Sequence, residues 1–361
     1  MMKILLLRSN PRKDGFSQYL INVFIEGAKE NADITDIDLT LKNINPCKGC
    51  FKCWTQTPGS CIQQDDMKEL LQLFMSTDIV VIATPLYAFA VSSYCKMFQE
   101  RTLPLLSGGI IRNANGSDTN VLRFPDKMPK KLAAIIVGGL KSNVHSNGII
   151  ASLKLYAEGF GMEFAGVLNR PESYILQFTD TKPKTIKCIE SAFFEAGQAL
   201  SIQGNLPDEL QKKASLPLAP DLEYFQRYSN IYWDYARLVQ NRGGDLKEAC
   251  LLTSRDITIL MYEMARSIDS TTTKEVKTSF QFEFSDNGMI FSILINNGES
   301  KVIEASLSSP DLIIRCSSEI WVGIVRREKD PLKALVGGEI TLTGDKELFR
   351  KLHRFFPPPS T

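Results

Sequence analysis

Continuous apolar runs separated by helical segments constrain the fold of this chain more than any other sequence feature. Residues 2–7 (MKILLL), 78–84 (DIVVIAT) and 132–137 (LAAIIV) are apolar without alternation, which is typical of strands buried on both faces of a parallel sheet. Further strands are predicted at 33–39 and 163–167. Because right-handed crossovers place helices on both faces, the pattern predicts an α/β fold with a doubly wound five-stranded parallel sheet. Helices are predicted at 17–31, 65–75, 93–103, 147–160 and 185–203.

Three loops follow the first, third and fourth of these strands, at the carboxyl edge where such sheets bind ligands. The loop 9–17 (SNPRKDGFS) leads into a helix whose first turn Ser17 is expected to cap. Free N–H groups and the helix dipole favour a phosphate there, although the same residues also suit an ordinary turn. The loop 85–89 (PLYAF) offers an aromatic ring for stacking, and Gly138 and Gly139 allow close backbone approach to a ligand.

Four of the eight cysteines lie within one short stretch, with the spacing C-x2-C-x2-C-x7-C. Three evenly spaced thiolates with a fourth farther along favour an iron-sulfur cluster, whereas structural zinc usually takes two separated pairs. The spacing is compatible with three alternatives: a 4Fe-4S cluster, a thiol loop without metal, and a zinc site. A disulfide is the minority interpretation, because the cytosol is reducing. The candidate ligands are Cys47, Cys50, Cys53 and Cys61. The scattered Cys95, Cys188, Cys250 and Cys316 are predicted to be small buried residues.

Charge and hydropathy exclude two classes of partner. The chain has 42 Lys and Arg against 41 Asp and Glu, so no net field draws it to nucleic acid or to an anionic membrane. The apolar run at 4–7 is too short for a signal peptide or a membrane span. We therefore predict a cytoplasmic protein without a membrane span.

The second half of the chain reads as a linker followed by another domain. Residues 206–220 carry three prolines and polar spacers, which is typical of a domain boundary. Tyr224, Tyr228, Tyr232 and Tyr235 then share one helical stripe, interpreted as packing in an interdomain or dimer helix. Farther on, Asp-Asn-Gly at 286–288 and Asn-Asn-Gly at 296–298 predict two hairpins.

Taken together, the motifs SNPRKDGFS, the cysteine stretch followed by DDM, TPLY and VGG resemble the NADPH-dependent FMN reductase branch of the flavodoxin-like fold. Within that branch they resemble the iron-sulfur flavoproteins, over roughly residues 1–205. The resemblance implies strand order 2-1-3-4-5, FMN, and a 4Fe-4S cluster on the four clustered cysteines. No G-x-G-x-x-G follows the first strand, so NAD(P)H would reach the flavin only transiently.

The resemblance also implies which residues contact FMN. The phosphate would be held in the first loop and the isoalloxazine ring would lie between the other two. The phosphate loop contributes Ser9, Asn10, Pro11, Arg12, Gly15, Phe16 and Ser17, and the ring loops contribute Pro85, Leu86, Tyr87, Phe89, Val137, Gly138 and Gly139.

Residues 251–361 resemble the sterol carrier protein type two domain. The most telling segment is DPLKALVGGEITLTGDKELFRKL, in which a proline starts a helix and Gly337-Gly338 turns into a strand. The resemblance implies an α+β domain with a small mixed sheet under helices and an apolar tunnel for a lipid ligand. The alternative is a packing or dimerisation module whose interior is filled by its own side chains.

The leading hypothesis is an FMN-dependent oxidoreductase that passes electrons between NAD(P)H or a ferredoxin-like donor and a small acceptor such as a quinone. The alternative is a lipid-binding or lipid-responsive protein whose flavin domain serves sensing or assembly. No catalytic side chain is assigned because the flavin does the chemistry, although His145 is a candidate proton donor as well as an ordinary polar residue. The insert 107–131 is expected to be a lid or partner contact, and a homodimer or higher oligomer is expected.

Overall fold

The computed structural model describes residues 1–13, 15–112, 116–173 and 183–357. The chain divides into two units, Met1–Pro220 and Asp221–Thr361. Residues 206–250, predicted as a linker with an aromatic helix, are shared between them. The part up to 220 lies in the first unit, and the part from 221 lies in the second.

A parallel sheet with the predicted topology organises the first unit. Its order is β2-β1-β3-β6-β7 with all neighbours parallel, which is 2-1-3-4-5 when only the strands of this sheet are counted. This is the flavodoxin-like order, and the predicted fold class is confirmed. The described strands of the unit are β1 (Met2–Arg8), β2 (Ala32–Asp38), β3 (Ile79–Pro85), β4 (Leu106–Arg112), β5 (Asp118–Leu122), β6 (Lys131–Val137) and β7 (Glu163–Arg170).

Helices cover the sheet, and two of them approach each other unusually closely. A Cβ atom at Gly27 would lie 2.0 Å from the carbonyl oxygen of Phe194, and one at Gly197 would lie 2.1 Å from that of Phe24. Only glycine permits this backbone contact between the first and sixth helices. The described helices of the unit are α1 (Phe16–Lys29), α2 (Lys52–Thr55), α3 (Met67–Met75), α4 (Ser93–Glu100), α5 (Asn147–Gly159), α6 (Pro183–Gln203) and α7 (Asp208–Ala214).

The start of α1 corrects one prediction. The helix begins at Phe16 with Gly15 as its N-cap, so the expectation that Ser17 caps the first turn is wrong. Gly15 is extended, and its carbonyl oxygen accepts the N–H groups of Gln18 and Tyr19. Ser17 therefore lies inside the first turn, and the N-cap residue Gly15 makes no side-chain hydrogen bond to it.

The insert 107–131 contains an antiparallel ribbon rather than a simple loop. Strands β4 and β5 pair with each other and stand apart from the parallel sheet. The Trp54 ring packs on this ribbon, 3.4 Å from the position that a Cβ atom would take at Gly108. The Trp54 indole N–H also donates to the carbonyl oxygen of Leu103 at 2.9 Å. The ribbon thus braces the segment that carries the cysteines.

The second unit contains a mixed sheet of five described strands in the order β10-β9-β8-β11-β12. The β8–β11 pair is parallel and the other pairs are antiparallel. The consecutive strands β8–β9 and β9–β10 pair antiparallel, which confirms both predicted hairpins. Its strands are β8 (Lys277–Phe284), β9 (Ile290–Asn296), β10 (Glu299–Ile303), β11 (Leu312–Cys316) and β12 (Thr341–Gly344). Its helices are α8 (Leu222–Asn241), α9 (Leu246–Ser254), α10 (Ile257–Arg266), α11 (Ser318–Val325), α12 (Pro331–Val336) and α13 (Lys346–Phe355).

The tyrosine stripe of α8 packs within the second unit. Tyr224, Tyr228 and Tyr232 are buried, and the Tyr224 hydroxyl donates to a carboxylate oxygen of Glu263 at 2.6 Å. Tyr235 is half-buried and donates to Asp256 at 2.9 Å. None of the described helices combines the length and the hydrophobicity that a membrane crossing requires.

Candidate active site at the sheet edge and the cysteine loop

Three loops meet at the carboxyl edge of the parallel sheet because β1, β3 and β6 are neighbours in it. The backbone N–H of Ser9 donates to the carbonyl oxygen of Ala83 at 2.9 Å, which fixes the first loop beside β3. The N–H of Leu86 donates to the carbonyl oxygen of Val137 at 2.9 Å, which fixes the second loop beside β6. The structure therefore brings together the three loops that the sequence predicts.

The first loop presents polar groups whose partners are only partly supplied by the protein. The Ser9 hydroxyl donates to Ala83 O at 3.1 Å, and the Ser9 carbonyl oxygen accepts from the Ser92 hydroxyl at 3.0 Å. Asn10 is buried, yet its Oδ1 atom has no hydrogen-bond partner among the described residues. Buried polar atoms are almost always paired, so the unpaired amide oxygen of Asn10 is an indication of a missing donor.

The start of α1 supplies the features that an anion needs. Gly15 brings no side chain to cap the first turn, and Arg12 folds over it, with Nε 3.7 Å from the position that a Cβ atom would take at Gly15. A helix N-terminus with a guanidinium beside it favours a phosphate. Lys13 is engaged elsewhere, because its ammonium group pairs with Asp38 and with the Thr40 hydroxyl.

The second loop exposes two aromatic rings and holds a strained turn. Tyr87 and Phe89 are 50% and 60% exposed, which is unusual for large aromatic side chains. Ala88 and Phe89 have φ angles of 47° and 61°, in the left-handed region that costs energy for residues other than glycine. Strain and exposure at one turn are typical of a ligand-binding position. The Phe89 ring also contacts the half-buried His145 ring, with centroids 5.5 Å apart.

The third loop contacts the second loop at Gly138. A Cβ atom there would lie 3.0 Å from Cδ2 of Leu86, so a larger residue would crowd the Leu86 side chain. The N–H of Gly138 donates to Arg170 O at 2.9 Å, and its carbonyl oxygen accepts from Ser173 N at 3.0 Å. Gly138 therefore lets the Leu86 side chain lie close to the backbone of the third loop.

The four clustered cysteines line one pocket of the first unit. Cys50 is exposed, Cys47 and Cys61 are half-buried, and Cys53 is buried, and all four thiols are free. In the described part of the chain, no three Cys, His, Asp or Glu side chains converge as they would around a single ion. Four thiolates are a donor set that an iron-sulfur cluster uses, each binding a different iron, and that zinc also accepts.

The environment of Cys53 shows that the thiols interact. Burial and then the neighbouring thiolates of Cys61 and Cys50 raise the pKa of Cys53. Bringing four thiolates together without a cation is therefore unfavourable, and a metal that binds them as thiolates removes that cost.

A buried ion pair lies behind the pocket. The Arg101 guanidinium contacts the Asp65 carboxylate through two hydrogen bonds, of 2.6 Å and 2.9 Å. Burial would raise the pKa of Asp65, but hydrogen bonds from Arg101 and from Asn45 outweigh it and lower the pKa to about 2. Burial would likewise lower the pKa of Arg101, but the Asp65 hydrogen bond and the nearby Cys61 thiolate raise it.

Sequence reasoning missed Arg101. Its partner Asp65 lies 36 positions away, and no periodicity links the two residues. The sequence contains no local signal for it, because segment 93–103 also carries Lys96 and Glu100. The predicted helix over that segment ends at Glu100, so Arg101 is free to turn towards the cysteine loop.

Of the scattered cysteines, Cys95, Cys250 and Cys316 are buried as predicted, and Cys188 is half-buried.

Two family models match this chain. Residues 2–145 match NADPH-dependent FMN reductase, and residues 263–357 match the SCP-2 sterol transfer family. Both predicted resemblances are confirmed. The FMN reductase match contains the phosphate loop, the cysteine loop and both ring loops, so every predicted site residue lies within it.

Curated relatives match the same part of the chain. An iron-sulfur flavoprotein of Methanocaldococcus jannaschii is 32% identical over 32% of this chain and 59% of its own length. One from Archaeoglobus fulgidus is 32% identical over 28% of this chain and 46% of its own length. This chain therefore spans about half the length of these two relatives. An iron-sulfur flavoprotein of Clostridioides difficile is 28% identical over 52% of this chain and 93% of its own length.

Proposed function

We propose that the protein is an FMN-dependent oxidoreductase with a 4Fe-4S cluster. It passes electrons between NAD(P)H, or a ferredoxin-like donor, and a small acceptor such as a quinone. The observation that carries this proposal is the sheet edge of the first unit, where an unpaired Asn10 oxygen, an uncapped helix and two exposed aromatic rings converge. The four cysteines that line one pocket of the same unit support the cluster.

Each group of residues has a separate task in this proposal. Arg12 and the N-terminus of α1 hold the phosphate of FMN, and the Asn10 side chain accepts a hydrogen bond from the cofactor. Gly138 and Leu86 set the width of the ring site, and Tyr87 offers a stacking surface. Cys47, Cys50, Cys53 and Cys61 bind the cluster. FMN, when bound, exchanges one or two electrons and the cluster exchanges one.

Tyr87 and Phe89 also define the kind of acceptor. Their exposed rings suit a flat, apolar molecule that stacks on them, whereas a highly charged acceptor would gain little. His145 contacts Phe89 and is placed to exchange a proton with an acceptor bound there. Homodimerisation and a cytoplasmic location stay predictions.

Spectroscopy under anaerobic conditions tests the proposal. We expect purified protein to show flavin absorbance that NADPH or a reduced ferredoxin bleaches and a quinone restores. Bound flavin should be reduced faster than the same concentration of free FMN. Protein without flavin, or flavin that no donor reduces, would contradict the proposed activity.

A lipid-binding role of the second unit is a second candidate. The match to the SCP-2 sterol transfer family supports it, and so does Trp321, which is buried while its indole N–H has no partner among the described residues. A carboxylate or carbonyl of a lipid would satisfy that donor.

Tryptophan fluorescence tests this second candidate in the full-length protein. We expect oleic acid to change the emission of the wild type with micromolar affinity, because burial of a long apolar chain contributes about 25 cal/mol per Å². Trp321→Phe should abolish most of the change, since Trp54 and Trp233 lie elsewhere. An unchanged wild-type spectrum would favour the filled interior.

A further inference from the structure

Arg101 is far more buried than a charged residue usually is. Its side chain is 1% exposed, and the carboxylate of its partner Asp65 is 0% exposed. A second acceptor, the carbonyl oxygen of Asn45, lies 2.6 Å from Nη1. These bonds lock the guanidinium plane in one orientation, because a bidentate carboxylate pair fixes both the position and the plane of an arginine.

The three hydrogen bonds described above all come from the Nη1 and Nη2 atoms of Arg101. Its Nε atom is buried and has no hydrogen-bond partner among the described residues. Arg101 also forms part of the wall of the cysteine pocket, together with Cys61, Leu103 and Pro104. A buried N–H without an acceptor is costly, and sulfur is the acceptor that this pocket supplies.

We infer that Arg101 is a positioning residue for the cluster, which donates a hydrogen bond from its Nε atom to a sulfur atom in the pocket. The inference rests on the proposed cluster. Hydrogen bonds to sulfur stabilise the form of an iron-sulfur centre that carries the additional electron. Arg101 therefore raises the reduction potential of the centre and slows the loss of its iron.

A purely structural role makes a different prediction. If the Arg101–Asp65 pair only fixed residues 45–65, its removal would affect stability and iron content together but leave the potential of the remaining centres unchanged. The potential therefore distinguishes the two roles.

The variants are chosen so that folding does not decide the result. Arg101→Met together with Asp65→Asn removes both charges, so no buried ion is left unpaired. Arg101→Lys keeps the charge but not the two-pronged geometry. Lys48→Met is the control for net charge, because it removes one positive charge from the same pocket at an exposed position, where solvent and salt screen it, whereas the double variant leaves the net charge unchanged.

The experiment measures three quantities in anaerobically purified full-length protein. They are iron per chain, the rate of iron loss to a chelator, and the midpoint potential of the centre by redox titration with EPR detection. FMN content and circular dichroism report folding. We expect the double variant to lose iron about 10 to 100 times faster and to show a more negative potential, with FMN retained. Arg101→Lys should recover part of the shift, and Lys48→Met should match the wild type.

Two results would overturn the inference in distinguishable ways. If the wild type holds iron while the double variant has the same potential and rate of iron loss, the inference alone is wrong. If the double variant shifts the potential no more than Lys48→Met does, the hydrogen bond from Arg101 does not set the potential and the inference is wrong. A wild type without iron contradicts the proposed cluster itself, and the inference with it.

Discussion

The sheet edge of the first unit and the sheet face of the second use aromatic residues in opposite ways. At the edge, Tyr87 and Phe89 are at least half exposed, and Phe89 sits in a strained turn. On the face, Phe280, Phe282 and Phe291 are completely buried. Phe282 lies against Trp321, with ring centroids 4.9 Å apart.

The difference indicates that the sheet edge carries locally unfavourable structure that the sheet face does not. Left-handed backbone at Ala88 and an unpaired oxygen at Asn10 are unfavourable unless a ligand compensates for them. The buried phenylalanines of the face contribute to stability by their burial alone. Substitutions at the edge should therefore change binding, and substitutions on the face should change stability.

The largest expected effect is on the face. Phe282→Ala should lower the free energy of unfolding of the second unit by about 3 to 5 kcal/mol, because it removes a completely buried ring and leaves a cavity. Denaturant unfolding followed by Trp321 fluorescence measures it. Leu332→Ala, at an exposed position, should cost less than about 0.5 kcal/mol. A lower FMN affinity in Phe282→Ala would contradict the prediction that substitutions on the face change stability and substitutions at the edge change binding.

A smaller effect is expected at the phosphate loop. Arg12→Ala combined with Ser17→Ala should weaken FMN binding by about 3 kcal/mol, or roughly 100-fold, since one charge-assisted and one neutral hydrogen bond are lost. Flavin fluorescence titration measures the affinity. Lys13→Ala is the control, because this lysine is already paired with Asp38. Equal losses in both variants would indicate a diffuse charge effect instead of a built phosphate site.

The smallest of these effects concerns acid stability. The pKa of Asp65 is lowered to about 2 in the folded protein, so its contribution is complete above the unfolded value of about 4 and disappears as the pH falls towards 2. The loss amounts to about 2 kcal/mol. Urea unfolding of the wild type and of Arg101→Met/Asp65→Asn between pH 5 and pH 2 measures it. Parallel pH profiles for the two proteins would show that Asp65 contributes nothing.

Local signals predicted much of the fold. The Asp-Asn-Gly and Asn-Asn-Gly turns specify hairpins by their backbone geometry alone, and β8, β9 and β10 pair as predicted. The order of the parallel strands came from the family resemblance, because apolar runs do not encode which neighbour they pair with.

The features that escaped prediction depend on contacts distant in sequence. The β4–β5 ribbon was expected as a loop, since glycines interrupt its pattern and Trp54 provides its support from a separate segment. No local sequence pattern indicates the Asp65–Arg101 pair, because the two residues are also distant in sequence. For the site, the sequence predicted the three loops and the four thiols but not the buried Arg101 side chain beside the cysteine pocket.

Iron analysis of anaerobically purified wild type and Cys50→Ser tests the central claim most directly. The wild type should contain about four irons and four acid-labile sulfides per chain together with one FMN. Cys50→Ser should lose most of the iron and keep its FMN, because the cluster and the flavin are held by different loops. A wild type that binds FMN but no iron, or a Cys50→Ser variant with its full iron content, would contradict this account.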